Sequence, residues 1–156
     1  MKSCVALFLC LLVPTFAFAS DANDYKVMYD GGSLQSVKSG TDVRLVIDPD
    51  RVRIVHGKEE LANIPAASIT EISYGQDVHR RVGAAIGLAV VSLGVGALMA
   101  LTKSKKHYIG LTWVDGDKKG GFAMQCDKNE YRGELTALEG ITGKKAVDSD
   151  AMTVKN

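Results

Sequence analysis

The sequence predicts a mainly β domain: a bent antiparallel sheet or open barrel of about seven strands, closed by one C-terminal helix and carrying an inserted hydrophobic helical hairpin. Three observations carry this expectation. Apolar and polar residues alternate in short runs separated by turn formers. The period lengthens to three and four residues only after Asp127. Residues 82–101 hold no charge at all, between Arg80-Arg81 and Lys103, Lys105 and Lys106.

The chain opens with a signal-peptide pattern over residues 1–19. Lys2 is a positive start, residues 5–13 are a short apolar core, and Ala17 and Ala19 offer the small side chains a signal peptidase reads, so cleavage before Ser20 is expected. Export would remove Cys4 and Cys10, leaving Cys126 without an internal disulfide partner. It would also remove Lys2 from the 19 basic residues, leaving 18 against 18 acidic ones and no basic excess to attract nucleic acid.

Residues 20–143 then read as a single domain, with a polar tail over 144–156 expected to be disordered. Residues 25–29 form a first short strand, followed by the turn formers Asp30-Gly31-Gly32-Ser33. Val43, Leu45 and Ile47 alternate, Asp48-Pro49-Asp50-Arg51 turns the chain, and Val52 and Ile54 resume as the returning strand of a hairpin. After a turn at His56-Gly57-Lys58-Glu59, Leu61 and Ile64 suggest one strand, and Ile69, Ile72 and Tyr74 another, with Pro65 marking the break. Beyond the apolar run, His107, Ile109, Leu111 and Trp113 share one strand face. After the turn from Asp115 to Gly121, Phe122, Met124 and Cys126 do the same. Asp127 and Glu130 have the spacing of a capping box, and a helix from Glu130 to Glu139 follows, with Tyr131, Leu135 and Leu138 on one face and Gly140 placed to end it.

This order of strands, with the final strand leading directly into an amphipathic helix, resembles the pleckstrin-homology-like fold, including its bacterial members. The likeness spans residues 25–143 apart from the apolar run. In that family, headgroup binding uses basic residues around the loop between the first two strands. Here residues 30–42 carry only Lys38 against Asp30 and Asp42, so the resemblance implies the fold without that recognition.

The twenty uncharged residues 82–101 are long enough for a helix across a bilayer core of ~30 Å, or for two shorter helices that dip in and return. If the flanking strands share one sheet, both ends of the run emerge on one side of the membrane, which a hairpin satisfies and a single crossing does not. Gly83, Gly87, Gly94 and Gly96 could allow close helix packing. Arg80, Arg81, Lys103, Lys105 and Lys106 would lie at the membrane surface beside anionic lipid headgroups, where each is worth ~1 kcal/mol. Three other readings stay open: a hairpin packed on the protein's own sheet, a glycine-rich oligomeric assembly of copies of this chain, and a single-pass helix.

Catalytic chemistry finds little support. His56, His79 and His107 are widely spaced, the latter two flanking the apolar run as interfacial polarity, and no zinc spacing or phosphate-cradling glycine loop is present. Cys126 follows Phe122 and Met124 on a strand face, as a buried structural thiol would. The expectation is an exported, membrane-associated, non-enzymatic anchoring or scaffolding domain on the periplasmic side. It would hold no metal or cofactor and would have lipid and a protein, or a second copy, as partners.

Overall fold

A computed structural model describes residues 23–34, 36–76, 78–87 and 106–150. The strands are β1 (Asn23–Gly32), β2 (Thr41–Asp48), β3 (Arg51–His56), β4 (Glu59–Pro65), β5 (Ile69–Tyr74), β6 (His107–Asp115), β7 (Lys118–Cys126) and β8 (Val147–Asp148). The helices are α1 (Val78–Ile86) and α2 (Tyr131–Thr142). One bent, unclosed sheet joins all eight strands in the order β4-β3-β2-β1-β7-β6-β5-β8.

Strand β1 makes the bend. Its first part pairs with β2, Tyr25 opposite Leu45, and its end pairs with β7, Gly32 opposite Phe122. The register slips between Tyr29 and Gly31, and such a bulge bends a strand so that it can serve two halves of a sheet. Two-residue loops join β2 to β3, β3 to β4 and β6 to β7, with Gly57 and Gly116 at positive φ in the latter two. A short 3-10 turn, Ala66–Ser68, carries the chain from β4 to β5.

The concave face holds the main core. Val43, Leu45, Ile47, Val52, Ile54, Ile109, Leu111, Phe122, Met124 and Cys126 all point into it, as the alternation predicts, and Leu138 of α2 closes its end. The opposite face of β6 and β7 is covered as well. Tyr108 and Ala123 form a second cluster there with Val78 and Val82 of α1, and Ile86 packs on it.

Several details differ from the sequence reading. The strands number eight among the described residues, because part of the tail expected to be disordered forms β8 and pairs parallel with β5, Val147 beside Ser73 and Asp148 beside Tyr74. The capping box does not form. The Asp127 carboxylate instead accepts from the Asn129 N–H at 2.8 Å, and the residue preceding α2, Glu130, makes no side-chain cap. Gly140 lies inside the helix, which continues until Gly143 takes the left-handed conformation at φ 67° and its N–H reaches the Glu139 carbonyl at 2.9 Å. The half-buried Ile141 packs on the core, which offsets the ~1 kcal/mol a helical glycine costs.

A single crossing at residues 82–101 is incompatible with this sheet. β5 and β6 bracket the run and are hydrogen-bonded neighbours, with Tyr74 opposite Ile109, so the run leaves and re-enters at one end of one sheet. The run also begins inside α1 rather than at its start, and Val82 is 2% exposed against β6 and β7. The hairpin expected over the rest of the run falls at 88–105, outside the described residues. Among the described residues no helix is long and apolar enough to cross a membrane.

Candidate functional site at the root of the insertion

The seat of α1 is built from missing side chains. Val78, Val82 and Ile86 recur every four residues along one helix face, and they meet the sheet where β6 and β7 carry Gly110 and Gly121. A Cβ on Gly110 would stand 2.5 Å from Val78 Cγ1 and 2.7 Å from Val82 Cγ2; one on Gly121 would stand 3.0 Å from Val82 Cγ1. The glycines let helix and sheet approach to full contact. At the edge of this seat Arg81 donates to both carboxylate oxygens of Glu71 on β5, Nε at 2.5 Å and Nη2 at 2.8 Å. That pairing raises the pKa of the guanidinium.

Beside α1 the two ends of the insertion are tied together. The Gln76 side-chain amide donates to the Lys106 carbonyl, and the Gly75 N–H reaches the Tyr108 carbonyl at 3.2 Å. The tail straps this junction. The Tyr74 carbonyl accepts from the Ser149 N–H at 2.7 Å and from its hydroxyl at 2.9 Å, while the Asp150 carboxylate accepts from the Gln76 N–H at 2.6 Å. Gly75 sits at φ 134°, and a Cβ there would lie 2.4 Å from Ser149 Oγ, so the strap runs where only glycine leaves room.

Three rings join this junction to the C-terminal helix. His107 of β6 stacks on Tyr131 of α2 at 3.9 Å between centroids and 5° between planes, and Tyr74 of β5 stacks on Tyr131 at 5.4 Å. The Tyr74 hydroxyl and His107 Nδ1 are 2.9 Å apart and share a hydrogen bond. Arg132 donates to the Tyr131 hydroxyl at 3.0 Å, which lowers that phenol's pKa. His107 is therefore a packed, hydrogen-bonded ring rather than interfacial polarity. An open cleft of about 350 Å³ adjoins it, lined by Lys26, Lys106 and Lys128 but also by Asp42 and Asp127, with Lys26 and Asp42 paired at 3.1 Å. The mixed charge gives no anion-selective surface.

Cys126 lies in the wall of the cleft at 6% exposure, and Glu134 is buried beside it. Burial pushes the Cys126 thiol far up, with Glu134 adding to the rise, so it is no nucleophile. Glu134 is 0% exposed and neither of its carboxyl oxygens has a hydrogen-bond partner. The Cys126 thiol beside it is directed to the Met124 carbonyl, at 3.9 Å. Among the described residues no group of three or more His, Cys, Asp or Glu side chains could hold a metal ion.

The sequence-predicted surface residues separate in the structure. Arg80 is exposed on α1, Lys106 lies at the mouth of the cleft, and Arg81 is committed to Glu71 instead of facing outward. Lys103, Lys105, Gly94 and Gly96 lie outside the described residues. Gly83 is buried in α1, but Gly87 takes φ 70° and ends the helix, so the two do not form a packing pair along one continuous helix. Glu134, the Glu71–Arg81 pair and the glycine seat escaped the sequence reading. A glutamate one turn before Leu138 on the predicted apolar face was the available signal for the first.

No family model matches the chain, and no curated protein matches its sequence. Among solved structures it is similar to the C-terminal phosphotyrosine interaction domain of mouse APBB2, with a TM-score of 0.50 at 11% identity, over 79% of this chain and 87% of that one. At that identity the likeness speaks to architecture alone. The chain has the pleckstrin-homology-like fold, a bent and unclosed antiparallel sheet ending in a C-terminal helix.

Proposed function

We propose that this chain is an exported, non-enzymatic scaffold held at a membrane surface by its apolar insertion, with a protein partner bound by the exposed parts of the sheet or of α2. The observation that carries the reading is the pairing of β5 with β6 across the insertion. Because these strands are neighbours, residues 88–105 depart from and return to one place, the arrangement an anchor needs if the whole domain is to stay on one side of a bilayer. The sheet covers the apolar face of α1, so the 14 uncharged residues 88–101 are left for lipid, short of the ~20 a helical crossing requires and suited to a shallow dip. The signal-peptide pattern of residues 1–19 supports export and a periplasmic location. The solved structure it resembles is, by its name, an interaction domain, which supports a binding role over catalysis.

The test places one cysteine at Lys58 and another at Lys118 in a Cys126→Ser background. Both should react with a membrane-impermeant maleimide added to intact spheroplasts. Labelling of only one would end the anchored-scaffold reading. In parallel, changing Arg80, Lys103, Lys105 and Lys106 to Gln should weaken binding to anionic vesicles, as raised salt does. Arg81→Gln should add little, since Glu71 already holds that cation. Vesicle binding unchanged by salt and by all four substitutions would remove lipid headgroups as partners. Detergent-resistant oligomers lost on Gly94→Leu would favour the glycine-rich assembly instead.

A further inference from the structure

We propose that Glu134 makes the seating of α2 on the sheet conditional on its own protonation: with the carboxyl neutral the helix stays docked, and on ionisation it lifts and uncovers Cys126. The geometry points to this because the carboxyl is wholly enclosed, one turn from the fully buried Leu138, and meets no N–H or O–H donor, only the weakly donating Cys126 thiol beside it. A neutral carboxyl can occupy such a place at modest cost. An ionised one is strongly disfavoured, since desolvation is offset by no cation and by nothing stronger than a thiol donor.

The titratable groups that act on it from the surrounding elements are Cys126 of β7, Asp127 and Glu130 of the turn before α2, and Tyr25 of β1, and none of them is a cation. Burial is the largest cause that pushes its pKa up, to about 7; Cys126 opposes the rise, and Glu130 and Asp127 add to it. Lifting α2 would also loosen the strap, because the Glu139 carboxylate holds the Ala146 N–H at 2.8 Å at the start of the tail. One carboxyl thus controls access to the open end of the core and to the outer edge of β5.

The sign follows from proton binding. Between the ordinary 4.5 of a glutamate and about 7, the docked form keeps a proton that the lifted form has released, so docking weakens as pH rises and levels off above 7. Cys126 is the reporter. Its reaction with 4,4′-dithiodipyridine is followed on the full chain in mild detergent, separated from Cys4 and Cys10 by peptide mapping, and divided by the rate of the urea-unfolded chain at each pH. Protection should fall by about sixtyfold between pH 5 and pH 7.5, as linkage gives for a carboxyl moved from 4.5 to about 7. Glu134→Gln should keep the protection seen at pH 5 across the whole range. Protection that is independent of pH in the unmodified protein, or an equal slope in the variant, would overturn the proposal. If the variant fails to fold, carbon-13 titration of the Glu134 carboxyl in the unmodified protein decides: a midpoint near 4.5 rejects it, and one near neutrality, with faster amide exchange across 131–142 at high pH, sustains it.

Discussion

Among the described residues two helices dock on one sheet, and their seats differ in kind. α1 lies on the convex face, where Val78, Val82 and Ile86 fill the room left by Gly110 and Gly121, and Arg81 at the edge of the contact is paired with Glu71. α2 lies across the open end of the core, where Leu138 is buried as expected, but next to it stands Glu134 without a partner. The first seat joins apolar side chains to glycines, with an ion pair at its edge. The second leaves a polar group uncompensated and should hold only while that group stays neutral. A helix packed on glycines loses contacts as soon as it moves; one that covers the end of a core over a buried carboxyl can be conditional.

The largest expected effect tests the apolar half of the α2 seat. Leu138→Ala should cost roughly 2–5 kcal/mol in urea unfolding, because a fully enclosed side chain leaves a cavity that its core neighbours only partly fill. A loss below 1 kcal/mol would mean that α2 contributes little to the core. Next comes the polar half. The contribution of Glu134 should fall by about 3 kcal/mol as pH rises from 4.5 to 7, read as the difference between the unmodified protein and Glu134→Gln at each pH. Parallel curves would place the carboxyl in contact with water and remove the contrast between the two helices.

Smaller effects address α1. Gly110→Ala should cost about 1–3 kcal/mol and speed amide exchange in α1 while leaving α2 unchanged, since the new methyl would meet Val78 at 2.5 Å and the Ser73 hydroxyl at 2.6 Å. Equal acceleration in both helices would show that the seats are coupled. Smallest is the ion pair. Arg81→Gln should lower stability by about 1 kcal/mol, less at high salt, whereas Arg80→Gln, exposed on the same helix, should change it by less than about 0.5 kcal/mol. Identical effects would make the Glu71 contact incidental.

Features that depend on local period and on the chemistry of single residues were legible in the chain before folding. Alternation over 43–54 and 107–126 reported which face of each strand is buried, because a pleated chain sends neighbouring side chains to opposite sides. The change of period after Asp127 announced the helix, and the order of these elements was enough for the fold. The rest depends on contacts between distant segments. Gly121 was expected in the turn after Asp115 but lies inside β7, and it and Gly110 gain a role only from the helix that packs on them. Asp127 and Glu130 have the spacing of a cap, yet a tighter local turn claims the Asp127 carboxylate first. Ser149 and Asp150 look like a polar tail until Tyr74 and Gln76 offer them an edge to bind. Glu134 follows the helical period of the apolar face, but whether a carboxyl at such a position reaches water or is sealed in depends on how far α2 sinks into the end of the sheet. Periodicity describes a segment against an average environment, while these features arise from the particular surface that a distant segment brings to it.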